Sequence, residues 1–271
     1  MHFNPGKMTD TAPDTNDERL TINGIEINEV NETKFLGVTI DNKLSWIPHI
    51  KQLTKKLNCN MGMLNRIKDS IPESHHKTLY YTLFESHLTY GITVWGGVAD
   101  SNLNQIFVAQ KQCIRILFGD KAAYLNKFKT CVRARAYKFQ KLGQEFYIKE
   151  HTKPLFNKHE MLVSQHLYHY HTILNIFKIL KTHTPISLHS CFQFTQSQRR
   201  ALLLTPPANS HNFIYKASSL WNIFKTTVAL NELKDLSIST SWVKHQLKAW
   251  LLKQQKLGDL NEWDDENFTL W

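Results

Sequence analysis

Long apolar runs, paired cysteines and glycine-rich phosphate loops are all missing from this 271-residue sequence. No uninterrupted apolar stretch approaches the ~20 residues of a membrane-spanning helix, so we predict no membrane partner. None of the four cysteines belongs to a C-x-x-C pair, which argues against a zinc knuckle or a disulfide framework and predicts a reduced, intracellular chain. A Walker-type loop, a dinucleotide-binding glycine motif and a serine nucleophile elbow are absent too, so we predict no nucleotide cofactor and no serine nucleophile.

Residues that could hold a metal or perform acid–base chemistry are also sparse. His166 and His169 lie three residues apart on a predicted helix, but His171 is off their line and no further ligand follows at zinc-site spacing. We interpret this stretch as a histidine-rich helix surface. Asp264 and Asp265 are adjacent, but they lie in an acidic tail without strands, whereas two-metal catalysis needs carboxylates on rigid strands. The residues themselves predict no metal site, no cofactor and no catalytic centre.

Charge is present in quantity and is unevenly placed. Residues 33–256 contain 31 Lys or Arg against 11 Asp or Glu, whereas residues 1–32 and 257–271 are each acidic by a net charge of 5. A basic body between acidic ends favours a polyanionic partner, most often nucleic acid. The alternative is an ordinary solvated helix surface rich in lysine.

The N-terminal part of the sequence changes character twice. Residues 1–19 are polar and lack the apolar core of a secretion signal, so we predict a disordered lead-in. Residues 20–41 alternate apolar and polar side chains around Asn23-Gly24 and then continue through a strand-like run from Lys34 to Ile40. This pattern predicts a small antiparallel β-meander, too small to be stable without a packing partner.

A helical period replaces the strand period at Ser45, which is a plausible N-cap before Pro48 in the first turn. Apolar residues then recur on one predicted helix face, at Ile50, Leu53, Leu57, Met61 and Leu64. By the ~100° turn per residue, Lys51, Lys55 and Arg66 fall on a line roughly opposite that face, with Gly62 between them. The pattern predicts a helix with an apolar side and a cationic side.

The remainder of the sequence is predicted to be mostly helical. Helices are expected at about 73–87, from Asp100 to Leu117, and at about 159–181, 214–226 and 240–255; a basic segment at 122–150 contains Arg133 and Arg135. The predicted fold class is mostly α, with a β-meander at 20–41, a helical bundle at 42–150, a further helical region at 151–256 and an acidic tail at 257–271.

An ordered series of motifs connects this pattern to a known family. The segment "KFLGVTIDNKLSWIPHI" (34–50) resembles the stretch that follows the catalytic core in reverse transcriptases of non-LTR, LINE-type retrotransposons of the jockey-like branch. The segments "HLTYGITVWGG", "LNQIFVAQKQCIRILFG", "ASSLWNIF" and "WVKHQLKAWLL" resemble later motifs of that family in the same order. The resemblance covers about residues 20 to 255. It implies that Phe35, Leu36 and Gly37 belong to a primer-grip-like hairpin at the end of the palm, and that the helices after it form a thumb.

The same resemblance implies a function. The family's catalytic Tyr-x-Asp-Asp turn lies upstream of the matched motifs and is absent here, so the chain is expected to be inactive by itself and to bind template–primer or element RNA. Expected partners are RNA, RNA–DNA hybrid or duplex DNA, and a separate chain could carry the palm and fingers; the expected location is the nucleus or the cytoplasm. Candidate phosphate contacts are Lys51, Lys55, Arg66, Arg133 and Arg135. A helical protein-interaction module and a retrotransposon remnant without activity are the alternatives.

Overall fold

The computed structural model describes residues 21–23, 25–26, 28, 30–98, 100–119, 152–195, 203–207, 213–227 and 236–257. Within these ranges most residues are helical, which confirms the predicted fold class. The predictions for the lead-in at 1–19, for Arg133 and Arg135, and for Asp264 and Asp265 lie outside the described residues.

Two antiparallel hairpins form the β part of the described chain. Strand β1 (Thr21–Ile22) pairs with β2 (Ile25–Glu26), and β3 (Glu32–Phe35) pairs with β4 (Val38–Asp41). The second hairpin turns at Leu36 and Gly37, whose φ angles of 47° and 83° match the positive-φ turn that fits the twist of a hairpin. The strands predicted for 20–41 are therefore present, but as two separate hairpins instead of one meander, and the expected strand through 34–40 is itself a hairpin.

Helix α1 (Ile47–Ile67) begins two residues after Ser45 and has Pro48 in its first turn. The predicted apolar face is confirmed, because Ile50, Leu53, Leu57, Met61 and Leu64 are all buried. The N-cap prediction is wrong: Trp46 occupies that position, with a left-handed φ of 60° and no side-chain cap. A 3-10 segment (Lys68–Ser70) directly follows the helix.

The second predicted helix contains an unexpected π-helical segment. Helix α2 (His76–Leu79) passes into π-helical residues Tyr80–Glu85 and then into α3 (Ser86–Thr89). Tyr80, Phe84 and Leu88 are fully buried along this run. Gly91, at a φ of 63°, then separates α3 from the short helix α4 (Ile92–Trp95). The positive φ explains why a glycine interrupts the helical pattern here.

The remaining helices pack around one central helix. They are α5 (Asp100–Phe118), α6 (Lys153–Lys158), α7 (Ser164–Thr182), α8 (Ile186–His189), α9 (Phe213–Thr227) and α10 (Thr240–Leu257). Helix α7 contacts α4, α5, α9 and α10, and α5 also packs along α1. Large side chains such as Trp95, Phe177 and Trp221 are fully buried in the resulting core. In the described part of the chain, no helix is long and apolar enough to cross a bilayer.

Candidate nucleic-acid interface

Asp41 joins the second hairpin to α1. Its carboxylate accepts the backbone N–H of Ser45 at 3.0 Å and of Trp46 at 2.9 Å. Burial raises the pKa of the Asp41 carboxyl, but the hydrogen bonds from Ser45 and Trp46 outweigh that effect and leave the pKa below its usual value. Asp41 thereby fixes the backbone just ahead of the helix. The hydroxyl of Ser45 accepts the N–H of Ile47, the first helical residue, at 3.4 Å.

Strand β4 is also bound to the first turns of α1. The Thr39 N–H donates to Nδ1 of His49 at 3.3 Å, and the Thr39 hydroxyl donates to Oε1 of Gln52 at 2.9 Å. His49 is buried against Trp95, with ring centroids 5.5 Å apart. Burial lowers the pKa of His49, which favours the neutral ring that can accept the Thr39 N–H. The hairpin is thus attached to α1 by specific polar contacts along its second strand.

Tyr90 holds the tip of the hairpin. Its hydroxyl donates to the carbonyl of Leu36 at 2.6 Å, and its ring lies against Gly37, where an added Cβ would be 3.3 Å from the ring. The Tyr90 carbonyl in turn accepts the indole N–H of the buried Trp95 at 2.9 Å. With the backbone fixed in this way, the side chains of Phe35 and Leu36 remain 62% and 74% exposed. Phe35, Leu36 and Gly37 therefore form a supported tip that faces solvent.

Gln110, one of the three glutamines in the segment "LNQIFVAQKQCIRILFG", is a structural residue of the interior. Gln110 is fully buried in α5, where its amide nitrogen donates to the Tyr80 hydroxyl at 2.7 Å and to the Leu162 carbonyl at 2.8 Å. Its amide oxygen accepts the Ser164 N–H at 2.8 Å. Both N–H donors of the Gln110 amide and one of the two lone pairs of its oxygen are therefore in hydrogen bonds. Through these bonds Gln110 connects α5 to the start of α7.

A second buried glutamine acts on the same stretch of backbone. Gln255 of α10 donates to the Met161 carbonyl at 2.9 Å and accepts the Val163 N–H at 3.1 Å. Gln110 and Gln255 together bind one polar backbone group from each residue of 161–164. In the later motif, Asn222 similarly binds both the N–H and the carbonyl of Leu204, each at 2.8 Å. The motif residues thus build the scaffold, and the binding surface must be sought elsewhere.

The cationic side of α1 is the clearest such surface. Lys51, Lys55 and Arg66 are all exposed, and a Cβ added to Gly62 would meet nothing within 4 Å. Residues 47–67 contain no Asp or Glu, so no carboxylate of the helix itself neutralises these cations. Within the ranges described, none of the three has a hydrogen-bond or ion-pair partner. Their predicted exposure is confirmed.

Lys56 and Tyr90 are two residues that the sequence-based search missed. Lys56 is also exposed on α1 and lies near His87, whose pKa is lowered by burial and then by the charge of Lys56. Because α1 contains no Asp or Glu, every cation of the helix was a candidate for the binding face, and this signal could have identified Lys56. Tyr90 was present in the family motif, but its partner is 54 residues away in the chain, so no local pattern could identify the contact.

The histidine stretch lies deeper than predicted. His166, His169 and His171 are half-buried on α7, and the rings of His166 and His169 lie 6.0 Å apart. Burial, followed by the charge of His166, lowers the pKa of His169 to about 4. His169 is therefore neutral at physiological pH, and this stretch adds little positive charge to the surface.

Comparison with known proteins supports the family resemblance. Over 102 residues, 36% of this chain, the sequence is 29% identical to the probable RNA-directed DNA polymerase from transposon BS of Drosophila melanogaster. It is 28% identical over 103 residues to the RNA-directed DNA polymerase from mobile element jockey of Drosophila funebris, and 24% identical over 101 residues to the probable polymerase from transposon X-element of Drosophila melanogaster.

These matches cover only part of both partners. The chain spans 11% of the length of each of these three relatives. No protein-family model and no solved structure matches the chain. Over about a third of its length, the chain is similar to RNA-directed DNA polymerases of non-LTR, jockey-like mobile elements.

Proposed function

We propose that this reverse-transcriptase-related chain binds nucleic acid through the cationic side of α1 and has no catalytic centre of its own. The observation that supports this function is the combination of three exposed cations, Lys51, Lys55 and Arg66, with a helix that contains no acid. Because the opposite side of α1 is buried in the core, these cations have a fixed support and cannot turn inward.

The geometry of α1 suits a phosphate backbone. Lys51 and Arg66 are fifteen residues apart, about 22 Å along a helix at 1.5 Å per residue, which is enough to meet several phosphates. Gly62 lies between Lys55 and Arg66, and the space above it is open. A backbone can approach most closely where no side chain projects. The proposed ligands are RNA, RNA–DNA hybrid or duplex DNA, bound with little sequence preference.

A salt titration with two matched variants tests this proposal. The first variant replaces Lys51, Lys55 and Arg66 by Ala; the control replaces Lys244, Lys253 and Lys256 by Ala, which removes the same charge from exposed positions on α10. Binding of a fluorescent RNA–DNA hybrid should weaken only in the first variant. The log–log salt slope, about −0.9 per neutralised phosphate on B-DNA, should become shallower by roughly one unit per lost contact.

Equal affinities for the wild type and the α1 variant would refute the assignment of the binding face to α1. Equal losses in both variants would show a diffuse dependence on net charge without a defined face. Far-UV circular dichroism of all three proteins controls for folding.

The absence of catalysis is proposed from the sequence, which lacks the family's Tyr-x-Asp-Asp turn. Primer extension with Mg²⁺ or Mn²⁺ should show no nucleotide incorporation by the isolated chain, because phosphoryl transfer of this type needs metal-binding carboxylates. Incorporation that disappears in a protein with Asp264→Ala and Asp265→Ala would refute this part of the proposal.

One observation favours a second function, that of a helical protein-interaction module. The tip at Phe35 and Leu36 exposes apolar side chains, and apolar surface of this kind is common where proteins dock. A separate chain carrying the palm and fingers would be the expected partner. Docking of apolar surfaces depends little on salt. Binding of a protein partner should therefore keep its affinity over the salt range in which binding of nucleic acid weakens, and this difference distinguishes the two functions.

A further inference from the structure

Strand β3 is the open edge of the second hairpin. All residues of Glu32–Phe35 are exposed, whereas the outer edge of β4 is bound to α1 through the Thr39 N–H and His49. Among the residues that the structure describes, no hydrogen-bond partner meets the outer edge of β3. An edge of this kind presents backbone N–H and C=O groups that can pair with a further strand.

The bonds within the hairpin show which backbone groups of β3 point outward. The N–H of Asn42 donates to the Asn31 carbonyl at 2.9 Å, and bonded and non-bonded pairs alternate along an antiparallel ladder. The N–H and C=O groups of Glu32 and Lys34 therefore point away from β4. Thr39, which lies opposite Lys34, follows the same alternation, because its own N–H points away from β3 towards α1.

These outward groups restrict how a second copy of the chain can pair with the edge. An antiparallel ladder joins outward groups to outward groups, so Glu32 can face Glu32, Lys34 can face Lys34, or each Glu32 can face a Lys34. The first two registers place like charges directly opposite each other, which destabilises a sheet. The third register places opposite charges together at both ends of the ladder and uses the backbone groups of both residues. Charge therefore selects this register.

The selected register is centred on Thr33. It places Thr33 opposite Thr33 of the second copy in a non-bonded pair, where the side chains approach most closely and paired threonines are favourable. Beyond the strand ends, Val30 falls opposite the turn residue Leu36 of the second copy. These apolar side chains are 47% and 74% exposed in the single chain. Charged, hydroxyl and apolar groups are thus matched in the same register.

We propose that two copies of this chain pair edge to edge through β3 in this register. The two hairpins then form one four-stranded antiparallel sheet, in which Glu32 and Lys34 of each copy bond to Lys34 and Glu32 of the other. The paired segment is short, so the dimer is weak and reversible. Because α1 lies against the opposite edge of each hairpin, pairing leaves it where it is. This inference is independent of nucleic-acid binding by α1.

Exchange of the edge charges tests the register directly. Glu32→Lys gives an edge with two cations, and Lys34→Glu gives an edge with two acids. Neither variant can pair with itself in the selected register, but a mixture of the two can, because every cation of one copy then faces an acid of the other. The controls Glu73→Lys and Lys253→Glu make the same charge changes at exposed positions away from β3.

Sedimentation velocity of nucleic-acid-free protein over a concentration series measures the pairing. The wild type and both controls should dimerise as concentration rises. Each edge variant alone should have a dissociation constant larger by about tenfold or more, and the equimolar mixture should regain the wild-type value. A wild type that remains monomeric throughout would overturn the proposal. Edge variants that associate as the wild type does, or a mixture that associates no better than its components, would overturn it equally.

Amide hydrogen exchange of the wild type provides a second test that needs no variant. The amides of Glu32 and Lys34 point outward, so their exchange should slow as the chain concentration rises. The amide of Thr33 already bonds within the hairpin, and its exchange should change much less. Equal slowing of these three amides, or none at any concentration, would show that β3 does not pair through its outer edge.

Discussion

Two regions of the chain use the same kind of contact with different consequences. One is the joint, where the second hairpin meets α1 and Tyr90; the other is the helical interior around α5 and α7. In both regions, polar side chains bind backbone groups: Asp41 and Tyr90 at the joint, Gln110 and Gln255 in the interior. Within the joint Asp41 is buried, but Tyr90 is 56% exposed and supports a tip whose apolar side chains face solvent, whereas the two glutamines are 0% and 2% exposed. A broken Tyr90 contact can be replaced by water, but a broken contact of either glutamine cannot. The interior contacts should therefore govern global stability, and the joint contacts should govern local order.

The largest expected effect is that of Gln110→Ala. The substitution leaves the Leu162 carbonyl and the Ser164 N–H without their partner in a buried site and also opens a cavity. We expect the free energy of unfolding to fall by roughly 3–5 kcal/mol, measured by urea denaturation. The matched control is Gln105→Ala, an exposed position on the same helix, which should change stability by about 0.5 kcal/mol or less. A small effect at Gln110 would remove the distinction between interior and joint.

A smaller effect is expected from Glu85, at the end of the π-helical segment of the interior. Burial raises the pKa of the Glu85 carboxyl from 4.5 to about 7, although the charge of Lys248 and a hydrogen bond from Tyr80 oppose the increase. A carboxyl whose pKa is raised on folding favours the folded state at low pH. That advantage is lost as the pH rises from 4.5 through about 7, at a cost of about 3 kcal/mol.

The substitution Glu85→Gln should therefore stabilise the chain at pH 8 by roughly 1–3 kcal/mol and have little effect at pH 5. Urea unfolding at both pH values measures the difference. Glu73→Gln, an exposed acid ahead of α2, is the control and should leave the pH dependence unchanged. Loss of stability at pH 8 in Glu85→Gln would mean that the charge of Lys248 stabilises the ionised carboxylate by more than burial destabilises it.

The smallest and most local effect is expected from Tyr90→Phe. The change removes the hydrogen bond to the Leu36 carbonyl and keeps the ring against Gly37, so the cost should be about 1 kcal/mol. Hydrogen exchange should accelerate in β3, β4 and the turn between them, while the amides of α5 and α7 remain unchanged. Tyr215→Phe on α9 provides a control for hydroxyl removal. Faster exchange throughout the helices would show that the joint and the interior unfold together.

The sequence contained enough information for the helices but not for the contacts that hold the tip. The apolar face of α1 is confirmed because a period of 3.6 residues is a local property of the chain. The turn at Leu36 was missed because leucine rarely adopts a positive φ, and Trp46 was missed as an N-cap for the same reason. The π-helical segment at Tyr80–Glu85 has no sequence signature that distinguishes it from an α-helix.

The candidate binding face was predictable only in part. Helical geometry and burial were sufficient to place Lys51, Lys55 and Arg66 outward, since the apolar residues fix the rotation of α1. Motif positions were a poorer guide, because Gln110 and Asn222 bind backbone groups of this chain and are not available to a ligand. A polar residue in a shared motif has the same appearance in sequence whether it holds the scaffold or contacts a ligand.

The position of Gln255 in the chain has a consequence for synthesis. It binds Met161 and Val163, which precede it by 94 and 92 residues. A ribosome makes residues in order, so the backbone at the start of α7 is made long before the side chain that completes its hydrogen bonds. Contacts between such distant residues close late and slow folding. The nascent chain should therefore keep this part of its interior open, and accessible to chaperones or to aggregation, until α10 has emerged from the ribosome.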